Sequence, residues 1–365
     1  MSLKKVFFLL ALWIQAHGFP LCDLYIRFCE GPFLNFSAEE ATGVEWAGNL
    51  LLAPSQYLFD GLAAIPADDP EVPYRFEERF DYSRRFHLKM PAAACALPAS
   101  LLLGSTVKAL AFIFPETRQR HERIKKAFHN RPIRLHHNYY REIGLAIDGK
   151  EKAPFIAPPE HRRRAGDEKA LAADRQALKE IVAILDKEGI FYWADCGTCL
   201  GAYRYGGTIP WDNDIDIGIF QKDFQNAKQA LKQLDPKKYS VQDWSSRGKR
   251  ESYLKVFEKE ALILIDIYQY AIDEEAKTLN CIISGMDNIF LTRDWKKHEK
   301  KYETPAPFEM IFPLKRAQLD EVTVYVPNRT KEYLQLRYGE NIEPTMLYDP
   351  NRNEYVRDPA HPYWH

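Results

Sequence analysis

Three aspartates at alternate positions, Asp212, Asp214 and Asp216, form the densest chemistry in this 365-residue sequence. From Asp214 onward the chain reads acid, apolar, acid, apolar, glycine, apolar. A period of two predicts a β-strand with Ile215, Ile217 and Ile219 on one face. Asp214 and Asp216 then share the other face, with side chains about 6–7 Å apart along the strand. Two carboxylates so placed repel each other and are costly to bury. A divalent cation removes that cost, and an all-oxygen ligand set suits Mg²⁺ or Mn²⁺. The competing account is a solvated acidic strand end. A third acid weighs against it. Ala261 to Tyr270 is nearly continuous apolar, as a central sheet strand is, and its one charge is Asp266. A carboxyl group there must be protonated, paired or metal-bound.

Other candidate chemistry is weaker. Cys196-Gly-Thr-Cys199 has redox or zinc spacing, but no second CxxC and no nearby Cys/His pair completes four ligands. Packing beside the Gly197-Thr198 turn is the simpler role for these thiols. Six cysteines in a chain of this length do not make a disulfide framework. Formal net charge is −1, and the clusters Arg162–Arg164 and Lys296–Lys301 are short, so nucleic acid is not an expected partner.

The elements that must position these residues begin after a charged, proline-rich stretch at 151–166, which has linker composition. Asp167 is a fair N-cap for a helix with Leu171, Leu178, Ile181, Val182 and Leu185 on one face, stopped by Gly189. A short strand, Phe191 to Ala194, leads into the Gly197-Thr198 turn and a short helix closed by Gly206-Gly207. After the aspartate strand come a helix burying Phe224, Ala227, Ala230, Leu231 and Leu234, then strands near 239–244, 253–257, 261–270 and 321–327. Thr330 to Gly339 follows as a helix. This organised domain spans 167–345, and the tail 346–365 reads as irregular.

The first 150 residues show weak periodicity. Residues 1–18 carry Lys4-Lys5, nine apolar residues and small residues after them, which is the pattern of a secretory signal; a buried N-terminal segment fits as well. Residues 19–150 read as an irregular, aromatic- and proline-bearing region. Within it, 91–114 approaches membrane-span length with a single charge, Lys108. Pro98 and Gly104 make it a poor spanning helix, and a re-entrant hairpin or a buried helix pair fits the same composition.

The stretch Gly197 to Arg204 (GTCLGAYR), followed by Ile209 to Asp216 (IPWDNDID), resembles the signature of the LicD/fukutin family. Phe312-Pro313, Val326 to Asn328 and Tyr333 to Gly339 are similar to its C-terminal landmarks. The resemblance covers roughly residues 167 to 345. It implies an α+β class: a nucleotidyltransferase-like mixed sheet flanked by helices. It also implies Asp214, Asp216 and Asp266 as metal-binding, catalytic carboxylates, Gly197 and Thr198 as the turn that approaches phosphate, and Arg204 as a phosphate contact. Asp212 becomes a supporting acid. Asn213 departs from the triple-acid form of the motif. Lys255 is a further candidate for holding phosphate oxygens.

The implied reaction is metal-dependent transfer of a phospho-alcohol, such as phosphocholine or ribitol phosphate. The donor would be CDP-activated, the acceptor a glycan or lipid-linked glycan hydroxyl, and CMP would leave. Nucleotidyl transfer and a catalytically silent, membrane-associated glycan-binding scaffold are the alternatives. The signal-like start and the sequons at Asn35 and Asn328 suit a secretory-route lumen or membrane, with the cytoplasmic face of a bacterial membrane as the alternative.

Overall fold

The computed structural model describes residues 32–59, 61–80, 85–129, 131–145, 147, 151–153, 164, 167, 171–212, 214–245, 249, 251–283, 286 and 292–362. The signal-like segment 1–18 and most of the expected linker lie outside the described residues. The chain divides into two compact units. The first holds Met1–Ile133, Ser245–Arg250 and Gly285–Leu291; the second holds Arg134–Trp244, Glu251–Ser284 and Thr292–His365. The second unit therefore begins before the segment expected to link the two.

The first unit is ordered where weak periodicity predicts irregular chain. Strand β1 (Phe36–Ala38) pairs in parallel with β2 (Leu62–Asp69), and the helix between them, α1 (Gly43–Leu58), is the crossover. Strand β3 (Val72–Glu78) returns antiparallel to β2. A long helical run follows: α2 (Phe86–Ala99), a π turn at Ser100–Gly104, and α3 (Ser105–Ala111). Pro98 has no N–H to donate, and the helix widens into the π turn just after it. Residues His87–Ala111 are long and apolar enough to cross a membrane by length and composition. Helix α4 (Pro115–His129) then covers the sheet, packing Ile124 and Phe128 on Phe36, Tyr74 and Phe76.

The second unit is a mixed sheet flanked by helices, the α+β class that the sequence implies. Helix α5 (Ala172–Lys187) buries Leu178, Ile181, Val182 and Leu185, and Gly189 stops it at φ +68°. Strand β4 (Tyr192–Ala194) leads into helix α6 (Cys196–Tyr205), closed by left-handed Gly206. Next come β5 (Asp214–Phe220), helix α7 (Phe224–Ala230), β6 (Tyr239–Asp243), β7 (Tyr253–Glu258), β8 (Ile263–Asp273) and β9 (Thr278–Cys281). Helix α8 (Arg293–Glu299) precedes a short strand, β10 (Ala306–Pro307).

The sheet order is β10-β9-β8-β5-β4, with the β6–β7 pair also joined to β8. Strand β8 is central because it is apolar on both faces. It runs parallel to β5 on one side, and on the other it pairs antiparallel first with β7 and then with β9. Two segments add to the expected list. Strand β11 (Lys315–Leu319) forms a hairpin with β12 (Val322–Val326), and the tail expected to be irregular forms a second hairpin, β13 (Met346–Asp349) with β14 (Glu354–Arg357). Helix α9 (Thr330–Tyr338) lies between these hairpins in the chain.

Gly218 on β5 sits opposite Trp193 on β4. A Cβ there would lie 2.4 Å from the indole of Trp193, which is fully buried against Phe220 and Tyr270 and has nowhere to move. Gly218→Ala is expected to destabilise the protein by about 1–3 kcal/mol, the cost of overpacking a core. Thermal melting by circular dichroism checks this; an unchanged midpoint would contradict the close approach.

Candidate functional site

Strand register brings the acids together. Asp216 on β5 stands opposite Asp266 on β8, and Lys255 on β7 stands opposite Asp266 from the other side. Directly paired residues share a face, so Asp216, Asp266 and Lys255 form one row across three strands. Asp214 precedes Asp216 on the same face. One oxygen from each of Asp214, Asp216 and Asp266 lies within 4.8 Å of the other two.

This cluster is electrostatically strained. Asp216 and Asp266 are each 6% exposed. Burial first, then the charges of Asp214 and Asp266, hold the Asp216 carboxyl well above the usual range. Asp214 is raised in the same way, by burial and then by Asp266. Lys255 Nζ lies 2.9 Å from Asp266 Oδ1 and is boxed by aromatic rings, 4.9 Å from the centroid of Trp244 and 5.5 Å from that of Tyr253. One ammonium cannot neutralise three carboxylates. An all-oxygen set of three clustered acids facing one ammonium fits a hard divalent cation such as Mg²⁺ or Mn²⁺.

The turn before α6 is tied to the cluster. Asp195 is the N-cap and accepts from Cys196 N–H at 2.8 Å. Its N–H donates to the Asp216 carbonyl at 3.0 Å. The Gly197 N–H donates to Asp216 Oδ2 at 3.1 Å, and the Asp216 N–H donates to Thr198 Oγ1 at 2.8 Å. Gly197 and Thr198, expected to approach phosphate, are placed on Asp216 itself. A Cβ on Gly197 would lie 2.3 Å from Asp212 Oδ2, so a side chain there would displace that carboxylate. Asp212 thus packs against the turn, supporting the cluster at its edge. Cys196 takes a left-handed φ of +40°, a conformation that costs a non-glycine residue energy.

Arg204 is buried, and its guanidinium donates to the carbonyls of Ile342 and Glu343 at 2.5 and 2.6 Å. These bonds clamp α6 to the chain after α9. Arg204 also lines a cleft of about 860 Å³, together with Gly197, Trp211, Asp212, Lys301 and Tyr338. Cys196 and Cys199 are buried free thiols whose pKa values are pushed up by burial. Neither joins a metal-type cluster: among the described residues, the one such group of three or more is the aspartate set.

Two acids escape sequence reasoning. Asp195 is fully buried, and its two oxygens accept from the hydroxyls of Tyr270 and Tyr333, each at 2.5 Å. Arg337 lies 5.0 Å from the Tyr333 ring centroid and donates to the carbonyls of Tyr302 and Thr304. Glu299 is 5% exposed although it sits inside the lysine run that reads as a solvated face. Burial, then the charge of Asp266, pushes its pKa up to about 7, and Lys255 acts in the opposite direction. The half of the pattern legible in sequence was the aspartate spacing; nothing in a lone Asp or Glu marks it as buried.

Residues 189–329 match the LicD/FKTN/FKRP nucleotidyltransferase domain family. The chain is 28% identical over 188 residues to an uncharacterised protein of Rickettsia prowazekii, covering 52% of this chain and 62% of that protein. It is 25% identical over 187 residues to the human ribitol 5-phosphate transferase FKRP, covering 50% of this chain and 34% of FKRP. Human FKTN, a ribitol-5-phosphate transferase, is 29% identical over 194 residues, which is 50% of this chain and 36% of FKTN. The match therefore spans less than two thirds of each of these relatives. Among solved structures, the lincosamide antibiotic adenylyltransferase LnuA matches 46% of this chain and 87% of its own at 13% identity and a TM-score of 0.29.

The raised carboxyl groups set the pH response of the cation-free protein. Asp216 and Glu299 hold protons when folded that the unfolded chain releases, so stability falls as pH rises through the interval between the unfolded and folded pKa values. For Glu299 that interval runs from 4.5 to about 7. In chelator, melting midpoints should decline across it, and less steeply in Glu299→Gln and in Asp216→Asn. Unchanged slopes in both variants would refute the assignment. Added Mn²⁺ should raise the midpoint of the native protein at neutral pH and leave Asp216→Asn unaffected.

Proposed function

We propose that the LicD-family domain at residues 189–329 works in a metal-dependent phosphotransferase. The enzyme moves a phospho-alcohol, such as ribitol phosphate or phosphocholine, from a CDP-activated donor to a glycan or lipid-linked glycan hydroxyl. The single observation that carries this reading is the meeting of Asp214, Asp216 and Asp266 within 4.8 Å beside an open cleft. The likeness to two ribitol-5-phosphate transferases supports the choice of transferred group. A silent scaffold is the poorer account, because three mutually repelling acids kept buried without a charged ligand lower stability for no return.

Asp214, Asp216 and Asp266 hold Mg²⁺ or Mn²⁺, which when bound neutralises diphosphate oxygens and favours an in-line displacement. The acceptor oxygen forms a bond to the phosphorus carrying the alcohol, the bridging P–O bond to CMP breaks, and the acceptor proton leaves to a base. Asp266, in one cluster with the other two acids, is the carboxylate assigned to take that proton. Lys255 pairs with Asp266 and orients it from 2.9 Å rather than reaching for phosphate itself. Lys301, exposed at the cleft, is the cation better placed for the donor's phosphates, and Arg204 shapes the cleft wall. Asp212 and the Gly197-Thr198 turn fix the position of Asp216. A secretory-route lumen is the compartment that suits a glycan acceptor.

The test is release of CMP from a panel of CDP-alcohols in the presence of Mn²⁺. Asp214→Asn and Asp216→Asn should each lower turnover by about 10²-fold or more, the scale of removing a group that stabilises transition-state charge. Full turnover in both variants, or product masses showing a transferred nucleotide, would refute this reaction.

A further inference from the structure

Polarity is inverted along helix α1 and the α2–α3 run. Helix α1 and the α2–α3 run pack antiparallel: Gly48 meets Lys108, Gly104 meets Leu52, and the Ser55 N–H donates to Ser100 Oγ at 3.2 Å. Glycine at two of these crossings lets the backbones close up; a Cβ on Gly48 would lie 2.9 Å from the Lys108 backbone. Polar groups fill the inside. Lys108 is 2% exposed and donates to the Phe36 carbonyl, and buried Glu45 accepts from Thr117 and pairs with Arg120. The outside is apolar. Leu102 is 70% exposed, Ile113 69%, Leu50 57%, Trp46 56%, Phe114 54% and Leu103 52%. A helix pair facing water puts such residues inward, and a contiguous exposed apolar face marks an interaction surface. Small residues at the helix crossing, polar groups inside and large aliphatic groups outside are the packing rule of helices in lipid.

The charges beside this face indicate which surface it meets. Helix α4 starts directly after Phe114 and, beyond the Arg120–Glu45 pair, carries Arg118, Arg123, Lys125 and Lys126 against Glu116 and Glu122, an excess of two positive charges. Basic residues next to an apolar face are attracted to anionic headgroups. We propose that the outer face of α1 and α2–α3 inserts into one leaflet of an anionic bilayer, with α4 at the headgroups. Spanning is disfavoured by topology. Both ends of α1 feed strands that pair with each other, so the sheet runs alongside the helix, and that sheet exposes Asp68, Glu71 and Arg75. At 16 residues α1 is also only about 24 Å long, short of the ~30 Å hydrocarbon core. This surface is independent of the catalytic reading.

The experiment is co-sedimentation of the full chain with vesicles of phosphatidylcholine and phosphatidylglycerol, and with phosphatidylcholine alone, alongside light scattering without lipid. The native protein should pellet with the anionic vesicles. Leu102→Glu combined with Leu103→Glu should weaken that partition by about tenfold or more, given the apolar area withdrawn. Arg118→Glu with Arg123→Glu and Lys126→Glu should lose the preference for anionic vesicles. Cooperative melting checks that each variant is folded, and Leu103→Glu alone replaces a double variant that fails it. Undiminished pelleting of the leucine variants would put attachment elsewhere in the chain and overturn the proposal. A native protein that ignores vesicles overturns it too: oligomers split by the leucine changes would make the face a protein interface, and a monomer would make it covered.

Discussion

Asp216 is held by every polar group it has. Its carbonyl, its amide and its carboxylate each bond to a different residue of the turn 195–198. The constraint behind this is Coulombic. Three carboxylates confined within 4.8 Å repel strongly at low dielectric, so the fold can keep them there only by fixing each one from outside. The helix N-terminus at α6 supplies one such restraint, since its amides are the unpaired donors that a carboxylate favours. Lys255 supplies another from the opposite edge of the row.

The rest of the second unit follows from keeping that turn and that row in register. Strand β8 lies between β5 and β7, so one residue, Asp266, can face an acid on one side and a base on the other. Asp195 anchors the turn to distant parts of the chain through Tyr270 on β8 and Tyr333 on α9. Buried hydroxyl-to-carboxylate bonds of this kind are strong because water cannot compete for them. The positive φ of Cys196 is the local cost of aiming Gly197 N–H at Asp216, and this network offsets it.

Much of this was legible in the sequence because it repeats with a period. Alternation marked β5, an unbroken apolar run marked β8, and the single acid inside that run marked Asp266 as unusual. Glycines at 189 and 206 stopped helices where their left-handed φ values allow. The family likeness covers the same stretch. What was hidden has no period. Thr198 and Arg204 carry the right chemistry, yet which partner each takes depends on chain 18 and 138 residues away. Glu299 was masked by its lysine neighbours, and the first unit misled because its helices bury polar residues and expose leucines, so ordinary burial rules point the wrong way. The hairpin β13–β14, with four residues in each strand, is too short for a pattern to show.

The Arg204 clamp gives the domain a different boundary from the one that similarity draws. The family match ends at residue 329, but the guanidinium on α6 ends on carbonyls at 342 and 343, and His361 reaches the second of these at 3.0 Å. A mechanical module is closed only when every buried charge inside it has found its acceptor. By that measure the working unit runs some thirty residues past the recognisable one. A shortened protein ending at residue 329 would strand a cation in the wall of its own cleft.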